Sequence, residues 1–330
     1  MQPHRSPPGL GPSPLVVFGK APFMGDFLRI GTPTRAGDAL EKWVDQGFAR
    51  AESRVGASWP AAYANGSAHA FVFRAPRSAS ARETVVGVIA PSTDAVGRRF
   101  PLVMYGTAPI EGGHFPWPHV LPLVLGEFFD AAAATLRRAA TLSSTADLIE
   151  LLRPLAAPEL ARSEAEARDY AGWSSEASLN RAWGVLYGHA GAMLATRAIH
   201  VIADALAPFR GEAAPATTLG LRLPLGSGGV AAAAFWLDAV RRLAGLPNEV
   251  RTSFWSSDGT RGSVIVQIGD TPPSTLAELW SPDADSESLC DLTAAPNVDV
   301  GRLLSGLPHP LADALKAPDT LVCDFLDRLT

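Results

Sequence analysis

The sequence predicts an α/β fold, a mixed β-sheet with helices packed on both faces. Three observations predict it. Short apolar, β-like runs alternate with longer stretches whose apolar residues recur at helical spacing. Several of the β-like runs are neighbours in sequence, which favours a mixed sheet. One of them, "TVVGVIA" (84–90), is apolar on both faces, as a central strand covered on both sides must be.

The elements follow in order. The opening "MQPHRSPPGLGPSP" (1–14) is rich in Pro and Gly and lacks the apolar run of a signal peptide, so it is expected to be a disordered leader. "PLVVFG" (14–19) is a bulky apolar strand that Gly19 ends. A helix is expected from about Thr32, with Thr32 as N-cap and Pro33 as the first helical residue. Its buried stripe is Leu40, Trp43, Val44, Gly47, Phe48, Ala51 and Val55, and Gly56 stops it. "WPAAYANG" adds a turn of helix closed by Asn65-Gly66. Three strands come next, "HAFVFRA" (69–75), "TVVGVIA" (84–90) and "PLVMYGT" (101–107), and the polar "PSTDAVGRRFP" (91–101) joins the last two.

From Val120 to about Ala140 the pattern turns helical, with Val124, Leu125, Phe128, Phe129, Ala132 and Leu136 as its stripe. Helices continue through 144–205, anchored on Trp173, Leu179, Trp183, Leu186 and Tyr187. "PATTLGLRLPL" (215–225) returns to strand, and "AAAAFWLDAVRRLAG" (231–245) is a helix ending at Gly245. "TSFWSS" and "SVIVQIG" form a hairpin around Asp258-Gly259. Helical segments near 273–281, 299–305 and 308–329 finish the chain. The organisation expected is a leader (1–14), an N-terminal α/β region (15–139), a helical region (140–215) and a C-terminal α/β region (216–330) that completes the same sandwich.

Composition narrows the function. The 330 residues are 47% apolar and 18% charged, enough to bury a large core. The net charge of −5 comes without a basic run, which argues against a nucleic-acid groove. Two cysteines, Cys290 and Cys323, make neither a disulfide framework nor a Cys-x-x-Cys zinc scaffold. The uncharged stretches near 112–126 and 223–237 are broken by Pro or Gly and fall short of the ~20 apolar residues of a membrane span. A cytoplasmic protein without stable membrane insertion is expected.

"FGKAPFMGDFLR" (18–29) holds a Gly-Lys pair after a strand. It is not a phosphate-binding loop: the pair comes first, Pro22 removes an amide, and Ala21 supplies no hydroxyl after Lys20. "GSGG" (226–229) is a partial glycine motif between strand and helix, with Ala231 in place of the third glycine, and it reads as a connection. His114 and His119, separated by "FPWP", match no metal spacing, and no Gly-x-Ser-x-Gly elbow exists. The charges that stand out are Lys20, Asp26, Asp94, Arg98 and Arg99, on two loops that can converge at the ends of neighbouring strands. Such a cluster can brace two loops, or it can bind an anion or act as an acid–base pair.

The two loops also carry a resemblance. "FGKAPFMGDF" and "GVIAPSTDAVGRRFPL", about 65 residues apart, resemble the TagF (ImpM) family of accessory proteins of bacterial type VI secretion. The first motif matches at Gly19, Lys20, Pro22, Gly25, Asp26 and Phe27. The second matches at Pro91, Ser92, Asp94, Val96, Gly97, Arg98, Phe100, Pro101 and Leu102. The resemblance implies a three-layer αβα sandwich with a mixed sheet, here carrying a helical insertion. It implies a cytoplasmic regulator that restrains assembly of the secretion apparatus after translation, through a regulatory or structural partner such as a forkhead-associated-domain protein. It implies no catalytic residue, metal or cofactor. "SSDG" (256–259) and "IGD" (268–270) resemble the metal-binding aspartates of a phosphatase fused to some members, but their order is reversed and Asp-Gly-x-Gly-Gly is missing.

Gly19, Pro22, Gly25, Pro91, Gly97 and Pro101 are thus expected to shape the loops. Lys20, Asp26, Asp94, Arg98 and Arg99 are the candidate interaction residues, with Asp26 in salt-bridge reach of the others. Arg98, fixed in the family pattern, is expected to face inward, and Arg99, which varies, outward. The alternative is a ligand-binding or hydrolytic enzyme that uses Lys20, Asp26, Asp94 and Arg98.

Overall fold

The computed structural model describes residues 15–76, 83–110, 114–211, 217–256, 262–282, 289–293, 300–317 and 319–330. The expected leader (1–14) and the Asp258-Gly259 turn lie outside the described residues. The chain divides into two compact units. One holds 1–113, 125–159 and 270–287; the other holds 114–124, 160–269 and 288–330.

Among the described residues of the first unit, β-branched and aromatic residues build five strands: β1 (Leu15–Gly19), β2 (Leu28–Ile30), β3 (His69–Arg74), β4 (Thr84–Ala90) and β5 (Leu102–Ala108). They pair in the order β2-β1-β5-β4-β3, every pair antiparallel. β4 is internal, as its two apolar faces predict, and it packs against the helices Arg35–Val55 and Gly126–Ala139. Helix Arg35–Val55 buries Leu40, Trp43, Val44, Gly47, Phe48 and Ala51, the expected stripe at i, i+3, i+4 spacing, while Val55 is half-buried. An aromatic cluster joins it to helix Trp59–Ala64: Phe48 lies 5.9 Å from Trp59, 5.4 Å from Tyr63 and 5.3 Å from Phe100, ring centre to ring centre. Trp280, from helix Thr275–Trp280, closes the cluster 5.0 Å from Tyr63.

Among the described residues the second unit has four strands, β6 (Leu219–Pro224), β7 (Ser253–Trp255), β8 (Ser263–Ile268) and β9 (Leu289–Asp291), in the order β7-β8-β6-β9. β6 and β9 are parallel and the other pairs antiparallel, so this sheet is mixed. Helix Gly229–Leu243 packs on β8 and buries Phe235 and Trp236. Trp183 lies 5.6 Å from both Phe235 and Phe325. The mixed β core, the flanking helices and the helical insertion between β5 and β6 make an α/β sandwich fold.

Local details depart from expectation. The helix after β2 starts two residues later than predicted. Thr34 rather than Thr32 is the N-cap, because its backbone is extended and its hydroxyl accepts from the Gly37 amide at 3.3 Å. β2 and β9 were not anticipated; three residues are too few to establish a period of two. The helix expected across Val120–Ala140 breaks at Leu125 into Leu121–Val124 and Gly126–Ala139. Trp173, expected as a buried anchor, is 39% exposed, and Tyr187 is half-buried. The segment Gly191–Phe209 is long and apolar enough to cross a membrane by length and composition. It nonetheless carries Arg197 and Asp204, and Ala195, Ala198, Ile199, Ile202 and Leu206 are buried in the protein.

Candidate interaction surface

Strand register brings the two motif loops together. Gly19, at the end of β1, and Ala90, at the end of β4, both pair with Leu102 at the start of β5. The loop after β1 and the loop between β4 and β5 therefore leave the same end of the sheet. The approach is close enough to require glycine. Gly19 has φ +126°, and a Cβ there would lie 1.9 Å from the Pro101 carbonyl oxygen.

Each loop is a defined turn. The Met24 amide donates to the Ala21 carbonyl at 3.0 Å, with Pro22 at the second turn position, where its fixed φ is favoured. In the second loop Thr93 and Arg99 form an antiparallel bridge, and the Gly97 amide donates to the Asp94 carbonyl at 3.0 Å. Gly97 has φ +84°, the left-handed conformation this turn needs. The Ala95 amide donates to Met24 O at 3.0 Å and ties the loops together. Tyr63 holds the entry: its hydroxyl accepts from the Ser92 amide at 2.9 Å and donates to Ser92 O at 3.2 Å. Burial raises that hydroxyl's pKa, so it stays a donor.

Asp94 is the centre. Its Oδ2 accepts from Lys20 Nζ at 2.9 Å and from Arg98 Nε at 2.6 Å, and its Oδ1 accepts from the amides of Val96 (3.1 Å) and Arg98 (2.8 Å). The Lys20 and Asp94 side chains are 8% and 0% exposed. Burial opposes the charge on Asp94, but the bonds from Lys20, the Arg98 amide and side chain and the Val96 amide outweigh it and hold the carboxyl well below the usual carboxylate range. Arg98 also reaches across to the Gly25 carbonyl. Lys20 Nζ sits 5.3 Å from the centre of the Phe27 ring, which packs edge-on to Phe100 at 4.9 Å.

Of the five candidates, the fold joins Lys20, Asp94 and Arg98. Asp26 is a correction: among the described residues its carboxylate accepts only from the neighbouring Phe27 amide, at 2.8 Å, and the residue is exposed, while Lys20 and Arg98 both donate to Asp94. Arg98, expected to face inward, is a second correction: it is exposed like Arg99, because its guanidinium lies along the surface between Asp94 and the Gly25 carbonyl; of the two arginines, only Arg98 has its guanidinium tied down among the described residues. Gly25 has no steric need to be glycine, since a Cβ there meets nothing within 4 Å. Two apolar side chains stand out on this surface: Val96, at the tip of the turn, is 72% exposed, and Phe27 is 45% exposed. A carboxylate with four donors and a depressed pKa is a poor general base. Among the described residues no group of three or more His, Cys, Asp or Glu could hold a metal ion.

In the second unit the two central "GSGG" amides are committed, Ser227 N to Val185 O and Gly228 N to Leu225 O, both at 3.0 Å, and the segment joins β6 to helix Gly229–Leu243 as a strand-to-helix connection. Sequence reasoning missed a buried network there. Asp238 accepts from Arg241 at 2.6 Å and from Arg242 at 2.8 Å. His119 lies 5.0 Å from the Tyr170 ring with no hydrogen-bond partner on Nδ1. Burial pushes the His119 imidazole down to about 4, and nearby Asp238 only partly offsets it.

The first unit is thus an α/β unit in which Lys20, Asp94 and Arg98 tie two glycine- and proline-shaped turns together at one end of the sheet. Residues 16–156 match the TagF N-terminal domain, described as Type VI secretion system-associated, so the chain contains a TagF N-terminal domain. No curated protein sequence matches the chain. A crystal structure of PA0076 from Pseudomonas aeruginosa PAO1 aligns with a TM-score of 0.48 at 17% identity, covering 86% of this chain and 100% of that one.

Proposed function

We propose that this protein is a cytoplasmic accessory protein that regulates type VI secretion by contact with a protein partner, repressing assembly of the apparatus after translation. The observation that carries the reading lies inside the matched domain. A Lys20–Asp94–Arg98 lock, buried at Lys20 and Asp94, fixes a turn that offers Val96, Phe27 and Arg99 to solvent. Exposed apolar groups on a rigid tip, rimmed by cations, are the anatomy of a docking surface. Asp26 lies at its edge. The partner we propose is a secretion-associated regulatory or structural protein of the forkhead-associated-domain class. The enzyme alternative has no such support, since the cluster's donors and acceptors bond to one another.

The test uses a host strain lacking the gene, complemented with the native sequence or with Arg99→Glu, Val96→Asp or Arg98→Glu. Secretion output is measured, together with copurification of the forkhead-associated-domain protein. Arg99→Glu and Val96→Asp should leave stability within about 0.5 kcal/mol and release both repression and capture. Arg98→Glu should lower the melting temperature, because it sets a carboxylate against Asp94. If Arg99→Glu and Val96→Asp repress and bind normally, these loops are not the interface.

A further inference from the structure

A cavity in the second unit, beyond the matched domain, has the features of a ligand site. Its volume is about 400 Å³, and Trp173, Ala177, Val185 and Phe235 line it together with Glu176 and Arg181. Small-ligand pockets span roughly 300–1,000 Å³ and are mostly apolar with a few polar groups. Trp173 and Val185, 39% and 36% exposed, are two of the four large apolar side chains that the described residues leave exposed.

The walls are braced. Helix Ser163–Glu176 ends at Ala177, whose backbone is extended, and Ser178 caps the next helix, Leu179–Tyr187. This corner is stapled to the C-terminal segment by Leu179 N to Thr320 O at 2.8 Å and by Val322 N to Ala177 O at 2.9 Å. Phe235 is clamped by Trp183 at 5.6 Å and Trp236 at 5.1 Å. Glu176 and Arg181 flank the corner. Both are exposed, and neither side chain makes a hydrogen bond or ion pair with another described residue.

We propose that this cavity binds a free apolar amino acid. The slot takes the side chain, Arg181 takes the carboxylate and Glu176 the ammonium. An apolar acid would leave Glu176 beside a like charge, and an apolar amine would leave Arg181 so; the zwitterion matches both.

Calorimetric titration of the full chain with L-phenylalanine tests this, with 3-phenylpropanoate, 2-phenylethylamine and glycine as comparators. L-Phenylalanine should bind with Kd below about 1 mM, and each comparator at least about tenfold more weakly, the scale of one lost charged hydrogen bond. Arg181→Gln should weaken L-phenylalanine to the level of 2-phenylethylamine, and Glu176→Gln to that of 3-phenylpropanoate. Ala231→Phe, which fills the slot from the exposed surface of helix Gly229–Leu243, should abolish binding with circular dichroism and melting unchanged. The absence of binding at about 5 mM overturns the proposal. So does equal binding of acid, amine and zwitterion, or binding that survives Ala231→Phe. None of these outcomes bears on the loop surface of the first unit.

Discussion

Replacing His119 with phenylalanine should flatten the acid side of the stability profile. In an unfolded chain this imidazole titrates near 6.5; in the folded protein burial holds it near 4. Between those values the unfolded chain carries a proton that the folded protein lacks. Stability from this group is therefore complete above about pH 6.5 and is lost as pH falls toward 4. The gap between 6.5 and about 4, at about 1.36 kcal/mol per pH unit, is about 3 kcal/mol in full. About 2 kcal/mol of it is gone at pH 5. Tyr170 packs edge-on to the ring, Asp238, Arg241 and Arg242 lie within electrostatic reach, and the two guanidiniums add to the cost of a third positive charge. Glu41, whose carboxyl is raised by burial, contributes with the opposite sign in both proteins. The wild-type minus His119→Phe difference thus isolates the imidazole. Urea unfolding from pH 5 to 8 should show native stability falling by about 2 kcal/mol more than that of His119→Phe. The His119 ring resonance should stay unshifted down to pH 5. Parallel profiles, or a ring that titrates above pH 6, would refute the reasoning.

Two other substitutions probe the frame. Gly19→Ala should destabilise by at least about 3 kcal/mol, because it combines a positive φ with an overlap on the Pro101 carbonyl. A melting temperature within a degree of wild type would count against the close approach of β1 and the β5 entry. Asp238→Ala should cost about 3–5 kcal/mol by leaving the Arg241 and Arg242 guanidiniums without their buried counter-charge. Denaturant unfolding that shows a loss under about 1 kcal/mol would mean solvent reaches those arginines.

The sequence by itself determined the turns, most strands and the motif loops. These rest on local rules: Gly19 and Gly97 adopt backbone that other residues resist, Pro22 presets a turn, and a strand apolar on both faces has nowhere to lie but inside a sheet. The spacing of the two motifs also pointed to the domain at 16–156. Only the tertiary structure decided which charges meet. Lys20 and Asp94 are 74 residues apart, and they touch because β1 and β4 both end against Leu102; no local pattern distinguishes Asp94 from Asp26 as the acceptor. Three-residue strands such as β2 and β9 exist through their partners' hydrogen bonds, which a sequence read locally does not contain. The same limit explains Trp173 and His119. Helical periodicity says which residues share a face, but not whether that face is covered, so a tryptophan expected inside borders an open cavity, and His119, singled out in the sequence only for its spacing from His114, is buried without a partner on Nδ1.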